Sequence, residues 1–292
     1  MATRNRTARP HVEAARIGLL TQGTVFNCAA AFRYPKKEVF GLTITARCDV
    51  AQEKYRLLNY VPIVRLDDWL QVDGLEILLD QERKQQHGSI RSALIDAGLS
   101  PNLVLSVPLS EVISVHFGAE SKDRKLAKIR ERLEKIASEL EAVETFRANP
   151  RACLSWLTEN RLKSIRQLVK DLLDHKVMGY YFLERLHPNT EVEGFVCLLR
   201  EGSSLPKEIA EELANGLSAE RWGELAHQGE QGRFEFLDLD LAGPVAQLGS
   251  PTIEHIMQSY ANLFGRIGIA DPRAEDLDLV INRLRNASEK KT

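Results

Sequence analysis

The chain has 292 residues, 43% of them hydrophobic and 27% charged, with a formal net charge of -2. That length is enough for two modest domains, or one with a large insertion, and the composition is that of an ordinary soluble globular protein, with disorder expected only at the ends. The slightly acidic balance excludes the broad basic surface of a protein that grips duplex DNA mainly by neutralising phosphates, although it leaves room for a local basic patch.

The N-terminal run Met1-Ala-Thr-Arg-Asn-Arg-Thr-Ala-Arg-Pro10 carries three arginines and is not followed by an apolar stretch, so residues 1–16 read as a flexible basic arm and not as a secretory signal. No apolar segment approaches the roughly 20 residues that span a bilayer, so no membrane partner is expected. Cys28, Cys48, Cys153 and Cys197 are too far apart for a disulfide scaffold or a zinc knuckle and read as reduced thiols of a cytoplasmic protein.

From residue 17 to 70 the pattern favours short strands at Ile17–Leu20, Gly23–Phe26, Val39–Thr45 and Tyr60–Leu66, with a turn at Tyr34-Pro35-Lys36-Lys37. Strands this close together predict a small barrel. Residues 74–98 change to helical spacing, interrupted at Gly88, whereas 99–118 fit either a strand at Leu103–Val107 or a short helix. From Lys122 to Arg147, Leu126, Ile129, Leu133, Ile136, Leu140 and Val143 step by three and four, which predicts a long amphipathic helix. Asn149 and Pro150 supply a cap and a first-turn proline for a second helix, and the two are expected to pair as an antiparallel hairpin over residues 122–176. Strand-like runs return at Tyr180–Leu183, Val192–Leu199 and Phe234–Leu239, with a helix near 206–216. Ser250-Pro251 starts a helix bearing Ile253, Ile256, Met257, Tyr260 and Phe264 that stops at Gly268, and Asp271-Pro272 starts a last short one.

The strand Gly41-Leu-Thr-Ile-Thr45 has one wet face and ends in Arg47, Cys48 and Asp49, with Lys54 close behind. Thr45, Arg47, Cys48, Asp49 and Lys54 are therefore the candidate ligand-binding residues: a carboxylate orients or accepts a proton while Arg and Lys stabilise negative charge on a phosphate. The competing structural role makes Cys48 a small core hydrophobe and Asp49 the cap of a helix over Val50–Leu58. A second candidate surface is the basic start of the long helix, Lys122, Arg124, Lys125 and Lys128, continued by Arg130 and Arg132. With Glu139, Glu141 and Glu144 at the far end, it opposes the helix dipole and offers contacts to phosphate or an acidic partner, or else a solvated face. No HExxH, no phosphate-binding glycine loop, no dinucleotide fingerprint and no nucleophile elbow occurs, so no metal and no cofactor is expected.

Gln22-Gly-Thr-Val25, then Gly41 to Asp49, then Val61-Pro-Ile-Val64, together with Leu248-Gly-Ser-Pro-Thr-Ile-Glu-His-Ile-Met-Gln-Ser-Tyr-Ala-Asn-Leu-Phe-Gly-Arg-Ile-Gly268, resemble a group of uncharacterised bacterial proteins with a GD-I/V … S/T-Q-x-C-D pattern. That resemblance implies an accessory role in bacterial defence or stress loci. More remotely, Gly23 to Val25, Gly41 to Thr45 and Val61 to Ile63 resemble the strands of the SH3-like barrel in MazF/Kid-type endoribonuclease toxins. The toxin arginine falls near Val39 or Phe40 here, so only Thr45 carries over from that site.

The expected fold is α+β: a small SH3-like β-barrel from residues 17–70 and 180–248, interrupted by a helical insertion at 71–178 and closed by C-terminal helices over 250–288. The expected function is a non-enzymatic accessory or partner-binding subunit of a bacterial defence (anti-phage) or stress system, whose partner is another protein of the same operon. Nucleic acid is a second partner class, and a homo-oligomer is compatible with the sequence. The alternative is a nuclease-like hydrolase acting on RNA or DNA through the Arg47-Cys48-Asp49 turn, with Thr45.

Overall fold

Period-two apolar patterning builds one antiparallel sheet that is buried on both faces. The structure, a computed structural model, describes residues 12–118, 124–146, 149–187, 192–227 and 234–265. Its strands are β1 (Val12–Ala14), β2 (Thr24–Phe26), β3 (Val39–Thr43), β4 (Leu57–Arg65), β5 (Tyr180–Leu183), β6 (Phe195–Leu198), β7 (Ser203–Pro206), β8 (Leu217–Ser218), β9 (Leu241–Ala242) and β10 (Pro244–Leu248). Eight of them form a sheet in the order β1-β10-β2-β3-β4-β6-β5, with β7 also on β4, while β8 and β9 pair separately. The sheet curls into half a barrel. The long strand β4 pairs with β3 along one edge; its other edge takes β7 near Leu58 and β6 near Ile63. Strand β10 lies between β1 and β2, where Leu248 N donates to Gly23 O at 2.8 Å and Thr24 Oγ1 to Gln247 Oε1 at 2.8 Å.

Along β4, Leu58, Tyr60 and Val64 point to one face with Val196 and Leu198 of β6, while Val61 and Ile63 point to the other with Phe195 and Cys197. The helices are α1 (Arg47–Ala51), α2 (Leu66–Trp69), α3 (Leu75–Asp96), α4 (Leu103–Ser106), α5 (Leu109–His116), α6 (Arg124–Phe146), α7 (Pro150–Asn160), α8 (Leu162–Leu173), α9 (Lys207–Asn215), α10 (Ala219–His227) and α11 (Thr252–Phe264). A π-helical turn, Leu70–Gly74, joins α2 to α3. The first face of the sheet packs against Trp69, Leu78, Leu157, Leu168, Leu172, Ile209 and Leu213 from the helices, and the second against Ile253 and Ile256 of α11. A third apolar cluster is purely helical, uniting Ile90 and Leu94 of α3, Val112 and Ile113 of α5, and Ile129, Leu133 and Ile136 of α6.

Several local expectations are corrected. Ile17–Leu20 is not a strand: Gly18 takes φ +82°, its N–H bonds Ala214 O at 2.7 Å, and Ile17 stays exposed. Gly88 does not interrupt α3. A mid-helix glycine costs only about 1 kcal/mol, and burial of Leu78 and Leu79 before it and Ile90 and Leu94 after it outweighs that. Phe234–Leu239 contributes a single bridge from Phe234 to Ala29, because Leu237 turns to φ +50°. Residues 103–116 form two short helices, α4 and α5, with no strand. The helix after Asn149 is capped by the bond from Ala152 N to Asn149 Oδ1 at 3.2 Å, but it divides at Arg161 into α7 and α8. Helix α6 packs against α3 and α5 and touches α7. Gly268 and the helix expected from Asp271-Pro272 lie outside the described residues, as do residues 1–11 of the basic arm.

Gly41 is required by packing. A Cβ there would lie 2.1 Å from Cζ of Phe26, its cross-strand neighbour. Gly41→Ala is expected to cost about 1–3 kcal/mol, measured as a lower urea midpoint at unchanged slope. Phe26→Leu in the same chain should return part of that loss.

Candidate functional site

Strand β3 delivers the predicted polar turn to the surface without gathering it around a cleft. Thr45 is buried and its Oγ1 accepts the backbone N–H of Asn59 at 2.7 Å, so this hydroxyl fastens the end of β3 to β4. Arg47, Cys48 and Asp49 lie on α1, which begins after Ala46 and ends at Ala51, so the expected helix over Val50–Leu58 is replaced by a much shorter one. Glu53, at φ +51°, ends the turn, and Lys54 N donates to Asp49 O at 2.9 Å. Arg47, Cys48, Asp49 and Lys54 are exposed, and no side-chain cap bond is made by Asp49. Cys48 is therefore not a core residue; its Sγ lies 3.6 Å from Asp49 Oδ1.

A buried polar cluster is centred on Asp73, which is only 4% exposed on the π-helical turn. The widened turn aims Asp73 back at the connection between β2 and β3. There Arg33 and Tyr34 each hydrogen-bond one of its carboxylate oxygens, and Tyr180 of β5 stands close enough for the Asp73 charge to act on its hydroxyl. Arg33 also reaches Glu76 at 2.6 Å. Trp69 packs edge-on against Tyr180 with ring centres 5.1 Å apart, and Gly74 is needed beside it, since a Cβ there would meet Trp69 at 3.1 Å. Burial, and then the bond to Asp73, raises the Tyr34 hydroxyl far above its ordinary value. Burial followed by the Asp73 charge does the same to Tyr180. Glu201 is raised by burial and by Asp73, against the Phe32 N–H and Arg33, which pull it down. Both tyrosines therefore stay protonated at neutral pH, and the two oxygens of the Asp73 carboxylate are taken, one by Arg33 and one by Tyr34. Such a set holds the π-helical turn to the connection between β2 and β3; it is poorly suited to moving protons.

A second polar contact joins α11 to the sheet. The Tyr181 hydroxyl lies 3.0 Å from Nδ1 of His255, and the His175 ring stacks on Tyr181 at 4.0 Å and 15°. Burial, then the neighbouring His255, lowers His175 below its ordinary value against the pull of Asp174. The fold thus disfavours the charged ring: this contribution to stability is fully present above the unfolded value near 6.5 and is lost as pH falls through the folded one. His175→Phe, which keeps the ring stack, should show a smaller drop in melting temperature between pH 7.5 and pH 5.5 than the wild type.

An open cleft of 530 Å³ lined by Gln71, Leu154, Ser155, Thr158 and Glu159 lies beside the π-helical turn and includes none of the predicted site residues. Arg124, Lys125 and Lys128 begin α6 on its exposed side, and Lys122 lies outside the described residues. Among the described residues no group of three or more His, Cys, Asp or Glu is disposed to hold a metal ion. No described helix is long and apolar enough to cross a membrane. Sequence reading misses Asp73 because Arg33, Tyr34 and Tyr180 approach it only through the tertiary fold; the one local signal is an aspartate within an apolar helical stretch. The chain matches no protein-family model, no curated protein and no solved structure, so its candidate sites are defined by their own geometry.

Proposed function

We propose that the protein is a non-enzymatic, partner-binding accessory subunit of a bacterial defence or stress system. The observation that carries this reading is the exposure of Ile95, Leu105 and Val115, at 60%, 80% and 69%, on the unit formed by α3 to α6. That unit already has a filled apolar cluster of its own, so these side chains are surplus to its core. Large apolar groups left outside a satisfied core are the raw material of a protein interface. On this reading the curled sheet is an SH3-like barrel and α6 with α7 and α8 a helical hairpin, both serving as scaffold. The saturated Asp73 cluster fits a scaffold role. The defence assignment rests on the motif resemblance alone.

The test is affinity purification from the native host with the operon intact, followed by mass spectrometry. The expected result is one stoichiometric protein partner encoded nearby; a chain recovered alone under these conditions contradicts the proposal. Arg47 and Asp49, exposed together on α1, favour a second reading as a nuclease-like hydrolase of RNA or DNA. Under the leading reading, Asp49→Asn leaves stability within about 0.5–1 kcal/mol, since it removes no cap bond, and the wild type cleaves no nucleic acid. Cleavage that Asp49→Asn abolishes at unchanged melting temperature would establish the hydrolase instead.

A further inference from the structure

Helix α6 carries a cationic flank that its own fold does not use. Its apolar face, Ile129, Leu133 and Ile136, is buried against α3 and α5. Arg124, Lys128, Arg132 and Lys135 recur at steps of four, four and three, which sets them in one exposed row about 16 Å long. None of these four forms an ion pair or hydrogen bond among the described residues. Of the nearby acids on the helix, Glu131 borders the row and Glu134 stands farther round the exposed face, already paired with Arg130 at 2.8 Å. Glu139 is taken by Arg161 and Gln86. Two physical costs make this row unlike an ordinary solvated face. Cations in the first turns of a helix oppose its dipole, and like charges at four-residue spacing repel one another. Exchanging them for acids would relieve the first.

We infer that this row is a binding surface for the phosphate backbone of a nucleic acid. Protein interfaces are depleted in lysine and depend on aromatic or other large anchors, and no large apolar side chain interleaves these four cations. A phosphate backbone needs only repeated positive charge on a straight support, and four contacts release about four counterion equivalents. The row would give sequence-independent binding, because nothing in it is placed to read base edges. The inference is independent of the apolar surface at Ile95, Leu105 and Val115.

The test is fluorescence anisotropy of the full chain with a labelled 20-base-pair DNA duplex and with its single strand, titrated from about 50 to 200 mM salt. The expected result is binding whose logarithmic affinity falls with a slope of about -3 to -4 against log salt on the duplex, and less steeply on the single strand. Arg124→Glu with Lys128→Glu should weaken binding at least tenfold and lessen the slope by about two, while the melting temperature stays equal or rises because acids suit the start of a helix. Arg132→Gln with Lys135→Gln, which adds no acid, should weaken binding in the same direction. No binding at low salt, unchanged binding by both variants, or equal competition by polyglutamate, which would indicate an acidic protein partner, overturns the inference.

Discussion

Asp73→Ala is expected to destabilise the protein by about 3 kcal/mol or more. The substitution removes one carboxylate and strands two donors, the Tyr34 hydroxyl and the Arg33 guanidinium. Tyr34 is 0% exposed, so water cannot replace the lost acceptor. A buried donor without a partner costs about 1–3 kcal/mol, and the two losses share one site, so they add incompletely. Tyr34→Phe in the Asp73→Ala background should recover part of the loss, since it removes a stranded hydroxyl while keeping the ring. Urea unfolding of the two variants measures both effects; an Asp73→Ala midpoint equal to that of the wild type would show that the cluster does not hold the π-helical turn in place.

Arg161→Met should cost about 3 kcal/mol. Arg161 stands where α7 passes into α8, and its Nε contacts both carboxylate oxygens of Glu82 at 3.0 Å while Nη2 reaches Glu139 at 3.2 Å. Gln86 donates to the same Glu139 oxygen at 2.6 Å, and the guanidinium lies over Trp156, 5.6 Å from the ring centre. The Glu82 side chain is 4% exposed, whereas Arg161 is 27% exposed. Removing the cation leaves Glu82 charged and buried, a loss of about 3–5 kcal/mol when a buried pair is broken, and the partial exposure of Arg161 places it at the low end. Glu82→Gln in the Arg161→Met chain should restore more than half of the loss, because the stranded charge is then gone. The observable is again the urea midpoint at constant slope.

The elements legible in the sequence are those whose apolar period is long or unbroken. Thus α6 follows from Leu126 to Leu140, α11 from Ile253 to Tyr260, and β3 and β4 from alternation with bounding turns. Strands β1 and β10 are missed because β1, Val12-Glu-Ala14, offers only one large apolar residue and β10 starts at Pro244, a residue that argues against a strand. Gly88 and Arg161 show the two opposite failures. A local breaker is overruled by packing on both sides of it, and an apparently continuous helix is broken by a distant buried glutamate that draws Arg161 inward. The candidate turn follows β3 in the fold, and its surroundings are not legible in the sequence. Thr45 spends its hydroxyl on the Asn59 backbone, and only the fold reveals that partner.

Ile95, Leu105 and Val115 are the proposed contacts for a protein partner. The most direct test is capture from the native host by the wild type and by Leu105→Glu with Val115→Glu, with both chains first matched in melting temperature. The wild type should retain a stoichiometric partner that the charged variant loses at least tenfold. Retention of the same partner by the variant, at equal yield, would contradict it.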